Sequence, residues 1–319
     1  MTTTGPAAGQ PAPPADQPAP PNGQSALPNG QPAPADIGDD DGPPWAYFRR
    51  LDDGRYLPGR FASGVWGART VSGRILGGLI GHVLEQEQAE PGYRLARLTV
   101  DMFRVIPSAP LAVTTSLVRA GGRIRVADVH VSHDGVPVTR ATAVFLRPSS
   151  NPPGEIWHAD RDEWPAPELG SPDPRLQAGS RADVRPMAPG VTLTGALGPT
   201  ASVQRGGVWV RELREVVEGT ELTPLVRAVL VADMTSPTTH RGTAGIQYIN
   251  TDFTLTLVRE PVGEFFGVLA EDQHAVDGVS FGQATIHDAA GLLGTCATTT
   301  LANPGKANPA RLPDRTRPR

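Results

Sequence analysis

One order of residues occurs twice in this chain, and that duplication restricts the fold more than any other feature of the sequence. In the first half, "RILGGLIGHVLEQE" sets Leu76, Leu79, Ile80, Val83 and Leu84 on one face at helical spacing, with Gly77 and Gly78 in its opening turn. After a break at Pro91-Gly92, "YRLARLTVDMFRVIP" and "LAVTTSLVRAGGRIRVADVHVSHDGVPVTRATAVFL" alternate β-branched and polar residues as strands do. Gly121-Gly122 and the hairpin pair Asp134-Gly135 punctuate them. In the second half, "LTPLVRAVLVADMTS" opens a helix with Thr223 as N-cap and Pro224 at the first helical position, and Leu225, Val226, Val229 and Leu230 share a face. "QYINTDFTLTLVREP" then parallels "RLTVDMFRVIP", and "HDAAGLLGTCATTTL" parallels "HDGVPVTRATAVFL". A helix followed by antiparallel strands, written twice, implies two α+β units of similar shape and excludes alternating β-α-β crossovers.

Composition sets the boundaries of these units. Residues 1–44 are Pro, Ala, Gly, Gln and Asp with almost no aliphatic or aromatic side chains, and residues 303–319 are rich in Pro and Arg. Neither stretch can bury enough apolar surface to offset chain ordering, so a disordered Pro/Ala-rich tail and a disordered basic tail are expected. The first unit then occupies residues 45–146 and the second 207–302. A Pro-rich connection, 147–206, is expected to run over the surface and to anchor itself through Trp157 and Trp164. Trp66, between Gly64 and Gly67, is expected to pack on the first helix.

With 29 basic against 33 acidic residues and a net charge of -4, the chain carries no electrostatic footprint for nucleic acid. The single cysteine, Cys296, rules out an internal disulfide framework, and no Cys/His cluster has metal-ligand spacing, so neither a metal nor another cofactor is expected. No basic start followed by an apolar run and no segment of membrane-spanning length is present, which reads as a cytoplasmic protein without a membrane span.

Several residues invite a chemical reading. Gly278-x-Ser280-x-Gly282 has the spacing of a serine-hydrolase nucleophile elbow, which requires a helix directly after the serine. The residues that follow, "QATIHDAAGLLGTCATTTL", alternate and turn as a hairpin does, so Ser280 reads as a strand residue and not as a nucleophile. Asp101 and Asp252 occupy equivalent places in the two halves, which favours a structural task such as bonding nearby amides. His82 beside an apolar stripe reads as a packed neutral histidine, His240 as a loop residue, and Cys296 as a small core residue. An acid at Asp233, closing the second helix, is disfavoured by the helix dipole, so a local compensation is expected there.

The order of "SGRILGGLIGHVLEQ", "LARLTVDMFRVIP" and "DGVPVTRATAVFL", then "GVWVREL", "TPLVRAVLVADMTSP", "YINTDFTLTLVREP" and "GQATIHDAAGLLGT", resembles the acyl-CoA thioesterase II-like family over most of residues 58–302. The resemblance implies a double hotdog: two helix-wrapped antiparallel sheets joined into one extended sheet. It also implies hydrolysis of an acyl-CoA or acyl-carrier thioester without a metal, by water held between an Asp at the end of the second helix, a Thr or Asn on the next strand and a Gln on the last. Asp233 falls at the first position and Asn250 at the second, with Thr251 one register away. At the third, Thr299, or Thr298 with a one-residue shift, stands in place of Gln. Gly77 and Gly78 are candidates for backbone amides that polarise the thioester oxygen, their alternative being close helix packing. The replaced Gln keeps a second reading open, a non-hydrolytic acyl-thioester binding or biosynthetic accessory protein. A hydratase ranks last, because "SGRILGGLIGH" lacks the acid that such enzymes carry. Pairing of sheets between copies, giving a homo-oligomer, is a further expectation.

Overall fold

The computed structural model describes residues 45–64, 69–159, 163–170, 181–187, 205–242 and 245–303. Trp66 and both expected tails, apart from Asn303, lie outside the described residues. The first half contains β1 (Ala46–Arg50), β2 (Tyr56–Pro58), a 3-10 turn (Arg60–Ala62), α1 (Gly73–Gln88), β3 (Arg94–Met102), β4 (Ala112–Ala120), β5 (Ile124–His133) and β6 (Val136–Leu146). The remainder contains β7 (Ala182–Pro186), β8 (Gly207–Glu212), β9 (Glu215–Val217), α2 (Pro224–Ala232), α3 (Thr235–Thr239), β10 (Arg241–Gly242), β11 (Gly245–Ile246), β12 (Tyr248–Asn250), β13 (Asp252–Leu257), β14 (Phe265–Val276), β15 (Val279–Asp288) and β16 (Gly291–Ala302).

An 11-stranded sheet runs in the order β4-β5-β6-β3-β13-β16-β15-β14-β8-β7, with β12 pairing β16 beside β13. The two halves meet at β3 and β13, which pair antiparallel with Leu98 opposite Leu255 and Asp101 opposite Asp252. Period-2 alternation decides which residues face the helices. Leu98 and Val100 on β3, and Phe253, Leu255 and Leu257 on β13, are buried, while the intervening Thr99 and Thr254 bond each other's hydroxyls at 3.1 Å on the opposite face. The hairpin pair Asp134-Gly135 takes positive φ at both residues (47° and 77°), which matches the right-handed twist of β5 and β6.

Both helices lie on the inner face of this sheet. The apolar stripe of α1 is buried as its spacing requires, and α2, whose Thr223 hydroxyl accepts from the Val226 amide at 3.2 Å, is apolar almost all round and correspondingly buried. The helices touch through glycine: a Cβ on Gly78 would collide with Leu230, and one on Gly81 would lie 3.1 Å from Val229. This is the double hotdog that the resemblance implies, with α1 and α2 enclosed by one shared sheet. The connection contributes more than a surface path, since its β7 forms the sheet edge against β8. Of its tryptophans, Trp164 packs on the cluster of Met187, Trp209, Phe265 and Leu269, whereas Trp157 is 86% exposed and is not anchored among the described residues.

Candidate active site

Asp233 sits at the C-terminal end of α2, and its carboxylate points across the helix pair to the first turn of α1. Asn250 Nδ2 donates to Asp233 Oδ1 at 2.6 Å, and the Arg74 backbone N–H donates to the same carboxylate. A Cβ on Gly73 would lie 2.6 Å from Met102 Sδ and 3.4 Å from Oδ2, so the glycine lets Met102 and the acid pack closely on the start of α1. The compensation expected from the sequence is visible in this arrangement: the acid is disfavoured at the end of its own helix but faces the amino end of the other, whose unpaired amides and dipole attract negative charge. Ser72, the N-cap of α1, makes no side-chain capping bond, so Asp233 supplies that acceptor from a distant part of the chain. Desolvation raises the Asp233 pKa, against the opposing pull of Asn250 and Arg74, so its carboxyl takes a proton more readily than an exposed aspartate.

The strands bring Asn250 and Thr298 together. Asn250 Nδ2 and Thr298 Oγ1 both approach the Asp252 carbonyl, at 3.4 and 2.7 Å, and Thr298 is only 3% exposed. Thr299 faces the other way. Its side chain is exposed, its amide donates to Asp252 Oδ1 at 3.2 Å, and its carbonyl accepts the Thr251 amide at 2.9 Å. Thr251 is exposed as well, with its hydroxyl on Asp252 Oδ2 at 3.0 Å. Strand alternation thus separates the one-residue alternatives: Asn250 bonds Asp233 and shares the Asp252 carbonyl with the buried Thr298, whereas Thr251 and Thr299 are exposed.

Gly77 and Gly78 are not amide donors at a helix end. Because α1 begins at Gly73, their amides lie in its second turn, where α-helical N–H groups bond carbonyls four residues back. Their missing side chains instead leave room for Phe253, Val229 and Leu230. The amides at the amino end are those of Gly73, Arg74 and Ile75, since Leu76 already donates to the Ser72 carbonyl at 2.9 Å.

A charged cluster behind Asp233 is not signalled by the repeat. Both Nη atoms of Arg74 bond Glu212 Oε2, at 2.5 and 2.7 Å, and Tyr47 Oη donates to Glu212 Oε1 at 2.5 Å. The Glu212 side chain is fully buried and that of Arg74 is 11% exposed. Glu212 neutralises the guanidinium, whose charge in turn opposes protonation of Asp233. The sequence signal for this cluster is slight: a glutamate, beside Arg211, closing the apolar run "GVWV" before Leu213.

Ser280 lies on β15, two residues past the Asp277-Gly278 turn, and no helix follows it. It does meet His240, with Oγ 2.9 Å from Nε2. Yet Oγ also donates to the His274 carbonyl at 2.7 Å, and the pair is buried, at 3% and 6% exposure. The ring places Nδ1 3.2 Å from the Ser236 carbonyl and Nε2 3.1 Å from Thr300 Oγ1, a fully satisfied interior histidine whose pKa burial lowers. Cys296 is equally inert as a nucleophile, since burial pushes its pKa up to about 12 while its thiol contacts the Ala232 carbonyl at 3.3 Å. His82 is buried, with its pKa lowered by burial. Among the described residues no group of three or more His, Cys, Asp and Glu is arranged to hold a metal, and no helix is long and apolar enough to cross a membrane.

One antiparallel sheet shared by two helices, with an acid of the second helix set at the start of the first, defines a double-hotdog protein. Family models then place it more closely: the acyl-CoA thioesterase N-terminal domain matches residues 62–146 and the acyl-CoA thioesterase C-terminal domain matches residues 158–302. The chain belongs to the acyl-CoA thioesterase family, of the thioesterase II-like kind. The C-terminal match begins inside the connection, in keeping with β7 being part of the sheet.

Solved structures agree on the fold. An acyl-CoA thioesterase II, TesB2, from Mycobacterium marinum superposes with a TM-score of 0.52 at 18% identity, covering 80% of this chain and 95% of that one. A protein from Novosphingobium aromaticivorans, assigned as a thioesterase, gives 0.54 at 19%, covering 81% and 98%. A hot dog fold protein of unknown function from Alicyclobacillus acidocaldarius gives 0.57 at 18%, covering 78% and 92%. No curated protein shows a significant sequence match.

Proposed function

We propose that this protein hydrolyses an acyl-CoA or acyl-carrier thioester with water activated by Asp233, held in line by Asn250 and Thr298. The observation that carries the reading is the Asp233 carboxylate, bonded to Asn250 Nδ2 at 2.6 Å and to the first-turn Arg74 amide. A carboxylate accepts up to four hydrogen bonds, so those two donors leave capacity for a water hydrogen. As the water oxygen attacks the carbonyl carbon, Asp233 takes the proton. The tetrahedral oxyanion is stabilised by first-turn amides of α1, Gly73 and Ile75, and the C–S bond breaks as Asp233 returns the proton to the departing thiolate. Thr298 takes the place that Thr299 holds in the linear reading, and the amides move from Gly77 and Gly78 to the start of the helix.

A threonine hydroxyl reaches less far than a Gln amide, and this favours the second reading, in which the chain binds an acyl thioester without cleaving it. The two separate cleanly. Release of free thiol from short-, medium- and long-chain acyl-CoA, followed with a thiol-reactive dye, is the expected result for at least one chain length. Saturable acyl-CoA binding by calorimetry, with no thiol released from any of them, would transfer the protein to the binding class.

A further inference from the structure

At the end of the β3–β13 seam remote from Asp233 lies an open cavity of about 860 Å³ lined by Arg94, Arg119, Arg123 and Arg147. Arg94 precedes Asp101 by seven residues on the same strand, so the cavity sits roughly 23 Å along the sheet from the seam's aspartate pair. None of the four guanidinium groups forms an ion pair among the described residues. The nearby acid Glu90 pairs instead with Arg125 at 3.6 Å, and Glu260 feels the charge of Arg94 without reaching contact distance. Four arginines lining one concavity with no ion pair among the described residues, in a chain of net charge -4, form a local positive potential that the composition does not require.

The frame that carries them is fixed. Tyr93 Oη donates to the Gly121 carbonyl at 2.7 Å, the Gly121 amide to the Ile124 carbonyl at 3.0 Å, and the Arg147 amide to the Arg123 carbonyl at 3.0 Å. The Arg147 guanidinium lies 4.7 Å from the Tyr93 ring centroid, which restricts its orientation. Ser149, Ser150 and Asn151 add neutral donors at the rim, while Ile124, Leu146 and Val258 give the cavity an apolar side. These three apolar residues are exposed, at 39%, 38% and 61%, with no element of the described residues covering them.

We propose that this cavity binds an organic di- or polyphosphate of nucleotide type, with the arginines on its phosphates and its ring on the apolar side. Planar guanidinium forks match phosphate oxygens bidentately, and a concavity of this volume falls within the ordinary range for small-molecule sites. A flat nucleic-acid surface would call for a longer basic track than the four arginines of this cavity.

Titration calorimetry of the full chain with ADP and with inorganic pyrophosphate, at low ionic strength, tests the proposal. Both anions bind saturably, and the exposed pair Arg119→Gln/Arg123→Gln weakens each about tenfold or more while thiol release from acyl-CoA keeps its unsubstituted rate. No saturable binding by either anion overturns it, as does equal binding by the doubly substituted protein. Binding of free CoA or of single-stranded RNA with ADP and pyrophosphate silent also overturns it, and so does a parallel loss of thiol release in the double variant.

Discussion

Asp233 shows how one side chain reconciles two opposing fields. It closes α2, where the dipole disfavours it, and bonds the first turn of α1, where the dipole favours it. Desolvation raises its pKa from the ordinary 3.8, so the folded chain holds the proton more tightly than the unfolded one. The stability that this preference contributes is fully present below the unfolded pKa and is lost as pH rises through the folded value. Asp233→Asn carries no such dependence. Thermal melts between about pH 4 and pH 8 should therefore show the variant gaining stability relative to the unsubstituted protein as pH rises, and a constant difference would contradict the desolvated carboxylate. The Arg74–Glu212 pair gives a second residue-scale expectation: Glu212→Ala leaves a guanidinium with little solvent and without its hydrogen-bonded carboxylate, and urea unfolding should show a loss of about 3–5 kcal/mol. Asp233 and Asn250 stand out through the resemblance to the family, and the structure places them 2.6 Å apart, one closing α2 and the other ending β12. Thr298 and Thr299 were not separable in the sequence, since a register error of one residue reverses every side chain of a strand.

At the scale of elements, the apolar stripes of α1 and α2 specified both helices and the buried face of α1, and the Asp134-Gly135 pair specified a hairpin. What the linear order concealed was where α1 begins. Gly73 starts the helix, so the glycines at 77 and 78 lie in its second turn and face a neighbouring helix and strand. Periodicity marks a stripe but carries no signal for the helix start when the N-cap makes no side-chain bond, as with Ser72. The close approach of the helices makes a specific demand on Gly78. Gly78→Ala, ordinarily stabilising in a helix interior, should here cost about 1–3 kcal/mol in denaturant melts, because the new methyl would meet Leu230 Cγ at 2.7 Å; a neutral or stabilising effect would show that the helices are packed less tightly.

Across the whole molecule, the duplication announced the architecture and the pairing of β3 with β13 completes it. The strand β7 escaped notice because the Pro-rich composition around it reads as connection, although its own residues, "ADVRP", only have to pair at a sheet edge, where proline is tolerated. The joined sheet also explains why the candidate site needs both halves. The first contributes the amino end of α1, with Gly73 and Arg74, and the second contributes Asp233, Asn250 and Thr298, so neither unit alone contains the set. The most direct test is single-turnover thiol release from an acyl-CoA that the protein cleaves, comparing it with Asp233→Asn after circular dichroism has shown both folded. The account predicts a loss of about tenfold or more in the rate of release, and an unchanged rate in a folded variant would contradict it.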